Sequence, residues 1–414
     1  MRPTGRLHIG HYFGALQNWV RLQNDPTYDC FYFIADWHAL TSDYADTSAV
    51  AQNTIEIMTD YLAAGLDPKK SVIFLQSLVP EHSELHLLLS MITPLGWLER
   101  VPTYKEALEN VSNKDLHTYG FLGYPVLQTA DIVIYGGEGT PLVVPVGEDQ
   151  KSHVELSREI VRSFNNYYSF KIREELSRNP EAILAIFRDI GVLPPFLKGS
   201  VDESSIQTAL QIIRQHASED GYVNFLNRIS KINRAFFEIL PPRLREPEVM
   251  LTQTPKIPGT DGRKMSKSYS NTISLSEMDE SIWQKIRPMK TDPARQRREN
   301  PGNPDICPVY DWHKLFSPPA TLNWAAQGCR TAAIGCIDCK RAMSDNLIKW
   351  IAPIRERRLH YQDKEKLVRR IIQEGSAQAR VIAQETMMQV RDAVLGNDRI
   401  RRRNLRPRRK ASAG

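Results

Sequence analysis

Two short apolar runs, "CFYFIAD" (30–36) and "SVIFLQS" (71–77), flank an amphipathic stretch, and that order narrows what this chain can fold into. Each run is nearly continuous in apolar residues, as in a strand buried on both faces. The stretch between them, "DTSAVAQNTIEIMTDYLAAG", reads as a helix, with Gly65 just past its end and Pro68 beyond. Strand, helix and strand in that order make a parallel pair with a crossover. "TPLVVPV" (140–146) predicts a further strand, and "EDQKSHVELSREIVRSF" the helix that follows it. The expected fold class is therefore α/β, a doubly wound parallel sheet. Ligands of such sheets sit at the carboxyl ends of the strands. Asp36, Gly147 and the segment around His8 fall at such ends.

At 414 residues the chain exceeds one small core, and two or three domains are expected. Apolar residues make up 41% and charged residues 25%, the balance of a globular protein rather than a disordered one. No apolar run is long enough to span a bilayer, and the start of the sequence lacks the apolar core of a signal peptide. Neither a membrane partner nor export is expected. Five cysteines are too few for a disulfide framework in a chain this long, which fits a reducing cytoplasm. The net charge of +6 resides in the tail. Residues 397–414 hold seven Arg and one Lys against one Asp, a net +7, so all other residues sum to −1. This tail reads as a solvated, disordered end with weak affinity for RNA phosphates.

Beyond the sheet the pattern turns helical. In "YFGALQNWVRLQN" a helical period puts Phe13, Leu16, Gln17 and Val20 on one face. Residues 171–245 read as a helical insertion with three amphipathic helices: "NPEAILAIFRDIG", "SSIQTALQIIRQHASEDG" and "GYVNFLNRISKINRAFFEIL". Ser204, three residues before Gln207, predicts a capping box for the second. From about 276 helices return, broken by a Pro-rich charged loop (288–308), and a long helix (363–395) closes the pattern at Gly396. No internal repeat is present.

Two motifs carry chemistry. "GRLHIGHYFGA" is a glycine loop leading into a helix, which offers backbone N–H groups and a positive dipole end to an anion. His8 and His11, three apart, lie on one side of the first turn and add donors for phosphate oxygens. Far downstream, "PGTDGRKMSKSYSN" (258–271) is a polar loop with Gly259 and Gly262 as hinges. Its Lys264 and Lys267, with Ser266 and Ser268 between and after them, can close over a triphosphate and stabilise departing pyrophosphate.

"GRLHIGH" together with "KMSKS" resembles the signature pair of the class I aminoacyl-tRNA synthetases. "IADWHALT" (34–41), "GWLERVPTYKE" (96–106), "YPVLQTADIVIY" (124–135) and "VPVGEDQKSHVELSREI" (144–160) narrow the resemblance to the bacterial tryptophanyl-tRNA synthetases. It covers most of 1–165, then 247–285, and the helical remainder more loosely. The resemblance implies a Rossmann-like catalytic domain in two parts (1–170 and 246–285, the second with the KMSKS loop), split by the insertion at 171–245. A helical anticodon-binding domain (286–396) and the basic tail (397–414) would follow.

The activity implied is activation of tryptophan with ATP and Mg²⁺, then transfer to tRNA(Trp), by a cytoplasmic homodimer. His8, His11, Lys105, Lys264 and Lys267 would be the catalytic residues. Gly5, Gly10, Gly147, Asp149, Met265, Ser266 and Ser268 would complete the ATP site with them, Lys105 lying in a loop that faces it. Tyr124 and Gln150 would hold the amino and carboxylate groups of the amino acid. His38 would be a pocket wall or a core histidine.

Asp131 is the specificity candidate. An indole offers one N–H donor and no acceptor, and a buried carboxylate is its natural partner. Gln128 departs from the pattern, because many relatives carry methionine there. Tyr124, Gln128 and Asp131 together resemble the side-chain pocket of tyrosyl-tRNA synthetases, so tyrosine is the alternative substrate. Further alternatives are an H-x-G-H nucleotidylyltransferase and a catalytically impaired paralogue that binds RNA.

Cys307, Cys329, Cys336 and Cys339 form the pattern C-x21-C-x6-C-x2-C. Four thiolates suit zinc or a [4Fe–4S] cluster, and spacing alone does not choose. A subset of the family carries an iron–sulfur cluster with a very similar spacing, which favours the cluster. Lys340 and Arg341 would offset its charge or touch RNA, and Cys30 would be core. Relatives also carry a short strand and a Ser-Gly pair ahead of "MRPTG". Their absence from this sequence makes Met1 read as an internal methionine, leaves strand backbone unpaired, and predicts a chain that is unstable or nearly inactive as written.

Overall fold

The computed structural model describes residues 1–110, 115–137, 139–195, 202–252 and 257–396. The basic tail (397–414) lies outside the described residues. The chain divides into two compact units. One comprises 1–80, 145–149 and 251–380; the other comprises 81–144, 150–250 and the segment from 381 on.

In the first unit the strands Phe31–Ile34 and Val72–Leu75 pair in parallel, with Phe31 opposite Val72 and Ile34 opposite Leu75. Their crossover is the helix Val50–Ala64, which ends at Gly65 with φ +112°. That left-handed conformation is what glycine supplies at a helix end. Met1 runs alongside. Its amino group donates to the Phe33 carbonyl at 2.8 Å, and its carbonyl accepts from the Ala35 N–H at 2.8 Å. The helix Cys336–Gln362 packs on Val50–Ala64. The closing helix Glu365–Leu395 covers the edge of Val72–Leu75: the Leu75 N–H donates to Ser376 Oγ at 3.2 Å. Gly375 permits the approach, because a Cβ there would run into the Ile73 backbone. Strand edges otherwise expose unpaired backbone groups.

The helix entered at Ile9 is not uniform. A short α-turn, Ile9–His11, passes into a π-turn, Tyr12–Leu16, before Gln17–Gln23 resumes the α form. The wide turn shifts the helical phase. Phe13 and Leu16 are buried as expected, but Gln17 is exposed.

In the second unit the helices Glu81–Ser90, Tyr119–Val133 and Lys151–Tyr168 pack side by side. The third follows the strand Leu142–Val146, which pairs with Pro247–Leu251. Residues 170–237 then build a separate core. Phe187, Ile183, Ile213 and Phe225, all fully buried, join Pro180–Ile190, Glu203–Asp220 and Tyr222–Arg228. Three expectations are corrected here. The third helix of this stretch ends at Arg228. "FFEIL" is strand, since Phe237–Ile239 pairs antiparallel with Phe170–Ile172; a short apolar run does not distinguish helix from strand by period. The cap of Glu203–Asp220 is Asp202, which accepts from the Ser205 N–H at 2.7 Å, not Ser204.

Candidate active site

The apolar residues of the first motif anchor it, and its histidines are left to face one another. Gly5 turns the chain with φ +100°, a region L side chains avoid. The Leu7 N–H donates to Asp60 Oδ2 at 2.7 Å, and the Leu7 carbonyl accepts from the Leu275 N–H at 2.9 Å. The Ile9 N–H donates to the Ile273 carbonyl at 3.0 Å. The rings of His8 and His11 then lie 3.7 Å apart between centroids. The His8 N–H donates to His11 Nδ1 at 3.2 Å. An imidazole accepting at Nδ1 carries its proton at Nε2, so neutral His11 presents a donor there. Burial, with Lys267 adding to it, lowers His8 to about 4. Burial, then the charges of His8 and Lys267, lowers His11 to about 2. Both rings are neutral at pH 7. His8 Nδ1 is buried without a hydrogen-bond partner among the described residues. A Cβ at Gly10 would stand 2.9 Å from that nitrogen and 3.3 Å from Met265 Sδ, so glycine is required where the two motifs touch.

The second motif is organised by Asn271. This residue is 1% exposed; its Oδ1 accepts from the Ser266 N–H at 2.8 Å, and its Nδ2 donates to Asp261 Oδ1 at 2.7 Å and to the Lys264 carbonyl at 3.1 Å. Asn271 holds the Asp261 carboxyl down at about 2, with help from Arg263. Gly262 adopts φ +82°, and a Cβ at Gly259 would collide with the Asn271 side chain. Lys267 reaches the first motif: its Nζ donates to the Gly5 carbonyl at 2.8 Å and to the Thr4 carbonyl at 3.0 Å. Lys264 points to solvent, and Ser268 contributes backbone to the turn Lys267–Tyr269. At the end of the Leu142–Val146 strand, a Cβ at Gly147 would lie 2.8 Å from Asp149 Oδ1. This strand end is tied to the first motif's helix. The Val146 carbonyl accepts from the Thr252 N–H at 3.0 Å, and Thr252 Oγ1 accepts from Asn18 Nδ2 at 3.2 Å.

In the second unit Tyr124, Gln128 and Asp131 follow one another along one face of Tyr119–Val133, with Gln150 just ahead of Lys151–Tyr168. Tyr124 Oη meets Thr103 Oγ1 at 2.5 Å, and Thr103 Oγ1 meets His153 Nε2 at 2.8 Å. Asp131 is 4% exposed, and its Oδ1 lies 2.5 Å from His82 Nδ1. The other ring nitrogen of His82 lies 2.6 Å from Tyr135 Oη. His38 is half-buried on Asp36–Asp43, in the first unit. Lys105 is exposed on the helix Pro102–Asn110, not in a loop.

The four downstream cysteines sit at the ends of helices in the first unit. Cys307 is the N-cap of Pro308–Phe316, Cys329 lies in the last turn of Pro319–Arg330, and Cys336 and Cys339 open Cys336–Gln362. Burial, and after it the proximity of Cys307, Cys329 and Cys336, pushes the Cys339 thiol up to about 12. Arg295 Nη1 approaches Cys329 Sγ at 3.8 Å. Lys340 is turned away from solvent and donates to the Arg287 carbonyl at 2.8 Å; Arg341 stacks 3.4 Å over the Trp283 ring. Cys30 is buried, as expected of a core residue. Among the described residues, no three His, Cys, Asp or Glu side chains stand close enough to hold a single metal ion.

The family profile of the class I tRNA synthetases (W and Y) matches residues 1–186 and 226–352. The tryptophan–tRNA ligase of Ralstonia nicotianae is 46% identical over 397 residues, which cover 95% of this chain and 96% of that protein. That of Thermotoga maritima is 43% identical, with 95% and 97% covered. Among solved structures, the tryptophanyl-tRNA synthetase of Campylobacter jejuni complexed with ADP and tryptophan superposes with a TM-score of 0.67. It is 27% identical, covering 95% of this chain and 97% of that one. The chain belongs to the tryptophan–tRNA ligases. Gln128 therefore stands in a tryptophan ligase, and the Tyr124, Gln128, Asp131 pattern does not make it a tyrosine enzyme. The α/β fold class expected from the strand and helix order, and the Rossmann-like form that the resemblance implies, are those of this family.

The residues that hold others in place are less visible in the sequence of the ligase. Asn271, the last residue of the quoted loop, carried a visible signal, since a buried Asn in a polar loop orders backbone. Asp60, His82 and His153 carried none, because their partners are distant in sequence.

Proposed function

We propose that this tryptophan–tRNA ligase runs both steps of its reaction on the residues described above. First, a carboxylate oxygen of tryptophan attacks the α-phosphorus of ATP; the bond from that phosphorus to the pyrophosphate oxygen breaks, and pyrophosphate leaves, its charge one that Mg²⁺ bound with ATP would help to neutralise. Then a ribose hydroxyl at the end of tRNA(Trp) attacks the carbonyl carbon of the adenylate; the bond from that carbon to the phosphate oxygen breaks, AMP leaves, and the hydroxyl proton passes to the departing phosphate or to water. No side chain forms a covalent bond, so the rate comes from positioning and electrostatics. The observation that carries this reading is the neutral His8–His11 pair beside the Lys267 ammonium. Neutral donors cost little to bury before ATP arrives and gain strength as charge builds on the phosphoryl oxygens. Gly5, Gly10, Met265, Ser266 and Ser268 shape the phosphate cradle, with Lys264 and Lys105 free to reach the pyrophosphate. Gly147 and Asp149 take the ribose side. Tyr124 and Gln150 hold the amino and carboxylate groups, Gln128 and His38 line the pocket, and Asp131 accepts the indole N–H. Exchange of pyrophosphate into ATP, dependent on tryptophan, tests the assignment. Lys267→Ala and His11→Ala are each expected to lower kcat by about 10²–10³-fold. Rates within a few-fold of the parent would remove these roles.

The domain reading follows the same lines. Residues 171–245 are an insertion, supported by their separate core and by the profile's gap from 187 to 225. Residues 1–170 and 246–285 form the catalytic domain, and 286–396 read the anticodon. Cys307, Cys329, Cys336 and Cys339 are the ligands of an iron–sulfur cluster. Their four thiols, the helix starts at Cys307 and Cys336 and the Arg295 cation fit an anionic group. The similar spacing in cluster-carrying members of the family favours the cluster over zinc. The cluster would tie these segments together rather than take part in the reaction. The enzyme is a homodimer, a reading supported by exposed Leu87, Met91, Leu95 and Tyr119. Five unpaired cysteines support a cytoplasmic setting. No helix of the described residues is long and apolar enough to cross a membrane.

A further inference from the structure

The backbone just ahead of His8 is held by a charged network to which the reaction described above assigns no role. Asp60, on the crossover helix Val50–Ala64, is buried, and its two carboxylate oxygens are used differently. Oδ2 accepts from the Leu7 N–H at 2.7 Å, and Oδ1 accepts from Arg358 Nε at 2.6 Å. The same guanidinium donates to Glu56, one turn earlier on that helix, and to Gln362 Oε1 at 3.1 Å. Glu56 in turn accepts from Arg6 Nε at 2.7 Å. Two consecutive loop residues, Arg6 and Leu7, are thus fastened to two carboxylates that share one arginine. The Arg358 and Asp60 side chains are 3% and 1% exposed.

Burial pushes the Asp60 carboxyl up and the Arg358 charge pulls it down. Removing the arginine leaves a buried carboxylate without its counter-charge. Such a group takes up a proton, which weakens the acceptor that holds the Leu7 N–H, or turns toward water, which removes it. Leu7 immediately precedes His8, so any slack there passes to the imidazoles.

We propose that Arg358 is a positioning residue for nucleotide binding, acting through Asp60 on the backbone of Leu7 to fix the placement of His8, Gly10 and His11. The proposal rests on the reading of His8 and His11 as ATP-binding residues. It distinguishes the two substrates, because the network reaches the nucleotide loop at Arg6 and Leu7 and reaches none of the residues assigned to tryptophan.

The test compares Arg358→Met, Arg358→Lys, Asp60→Asn and the Arg358→Met/Asp60→Asn double variant in the full chain. Pyrophosphate exchange gives the KM for ATP, and calorimetric titration without ATP gives the Kd for tryptophan. Displacing the loop is expected to raise the ATP KM about tenfold in Arg358→Met and about threefold in Arg358→Lys, with the tryptophan Kd within about twofold. In the Asp60→Asn background, Arg358→Met should add less than about twofold, because the two residues act as one unit. A tryptophan Kd that rises in step with the ATP KM overturns the proposal, and so does an Arg358→Met effect undiminished by Asp60→Asn. Should Arg358→Met fail to fold, an unchanged ATP KM in Arg358→Lys and Asp60→Asn overturns it equally. His11→Ala separates the two readings. If it leaves exchange intact, the ATP assignment is at fault; if it abolishes exchange while the Arg358 variants behave as the parent, only the role of Arg358 is lost.

Discussion

His8 and His11 are buried bases, and their burial gives the protein a definite response to acid. The unfolded chain holds its imidazoles near the ordinary 6.5, whereas the folded chain holds His8 at about 4 and His11 at about 2. Below pH 6.5 the unfolded state therefore binds more protons than the folded one. Stability from these two groups is complete above pH 6.5 and is lost as the pH falls toward 4, by up to about 1.4 kcal/mol per pH unit for each group. Urea denaturation of the parent and of a His8→Gln/His11→Gln variant at pH 7.5, 6 and 5 checks this. The variant should lose less stability between pH 6 and 5 than the parent does; equal losses would mean that other groups carry the acid response. At this scale the sequence was most readable where function is local. Two histidines three apart and two lysines in a glycine-hinged loop state their chemistry in a few residues. Asp60 and Arg358 do not, since a pair separated by 298 positions has no meaning until the chain has folded.

At the scale of elements, strands and helices with one strong period were readable, and boundaries set by tertiary contact were not. Val50–Ala64 carries its own stop in Gly65, and it ends there. Phe237–Ile239 is a strand because Phe170–Ile172 lies beside it, which its own composition does not announce. Gly375 is another such case. In an isolated helix, Ala in place of Gly adds about 0.5–1 kcal/mol of stability. Here a Cβ would meet the backbone of Ile73, which has no rotamer through which to yield. Overpacking of this kind costs about 1–3 kcal/mol, which exceeds the helical gain. Gly375→Ala is thus expected to lower the urea midpoint. A raised midpoint would mean that the helix can shift off the strand at little cost.

For the whole molecule, the proposed dimer and the proposed cluster both change mass, so one measurement addresses both. Native mass spectrometry of protein purified without oxygen should return two chains, each with the added mass of four iron and four sulfide. Cys339→Ser should keep the two chains and lose the added mass. A bare dimer from the parent would remove the cluster, and a single chain would remove the dimer. The strand and helix order gave the α/β plan and the resemblance of the motifs the family, whereas the identity of the group proposed at the four thiols depends on distances that no spacing in sequence encodes. Long-range closure also sets a timetable. The Leu75 N–H finds its acceptor in Ser376, 301 positions later. At about 5–20 residues per second, a ribosome takes roughly 15–60 s to add that length. For that interval the nascent strand edge has no cover of its own, so this enzyme of protein synthesis depends, while it is being made, on whatever shields growing chains from one another.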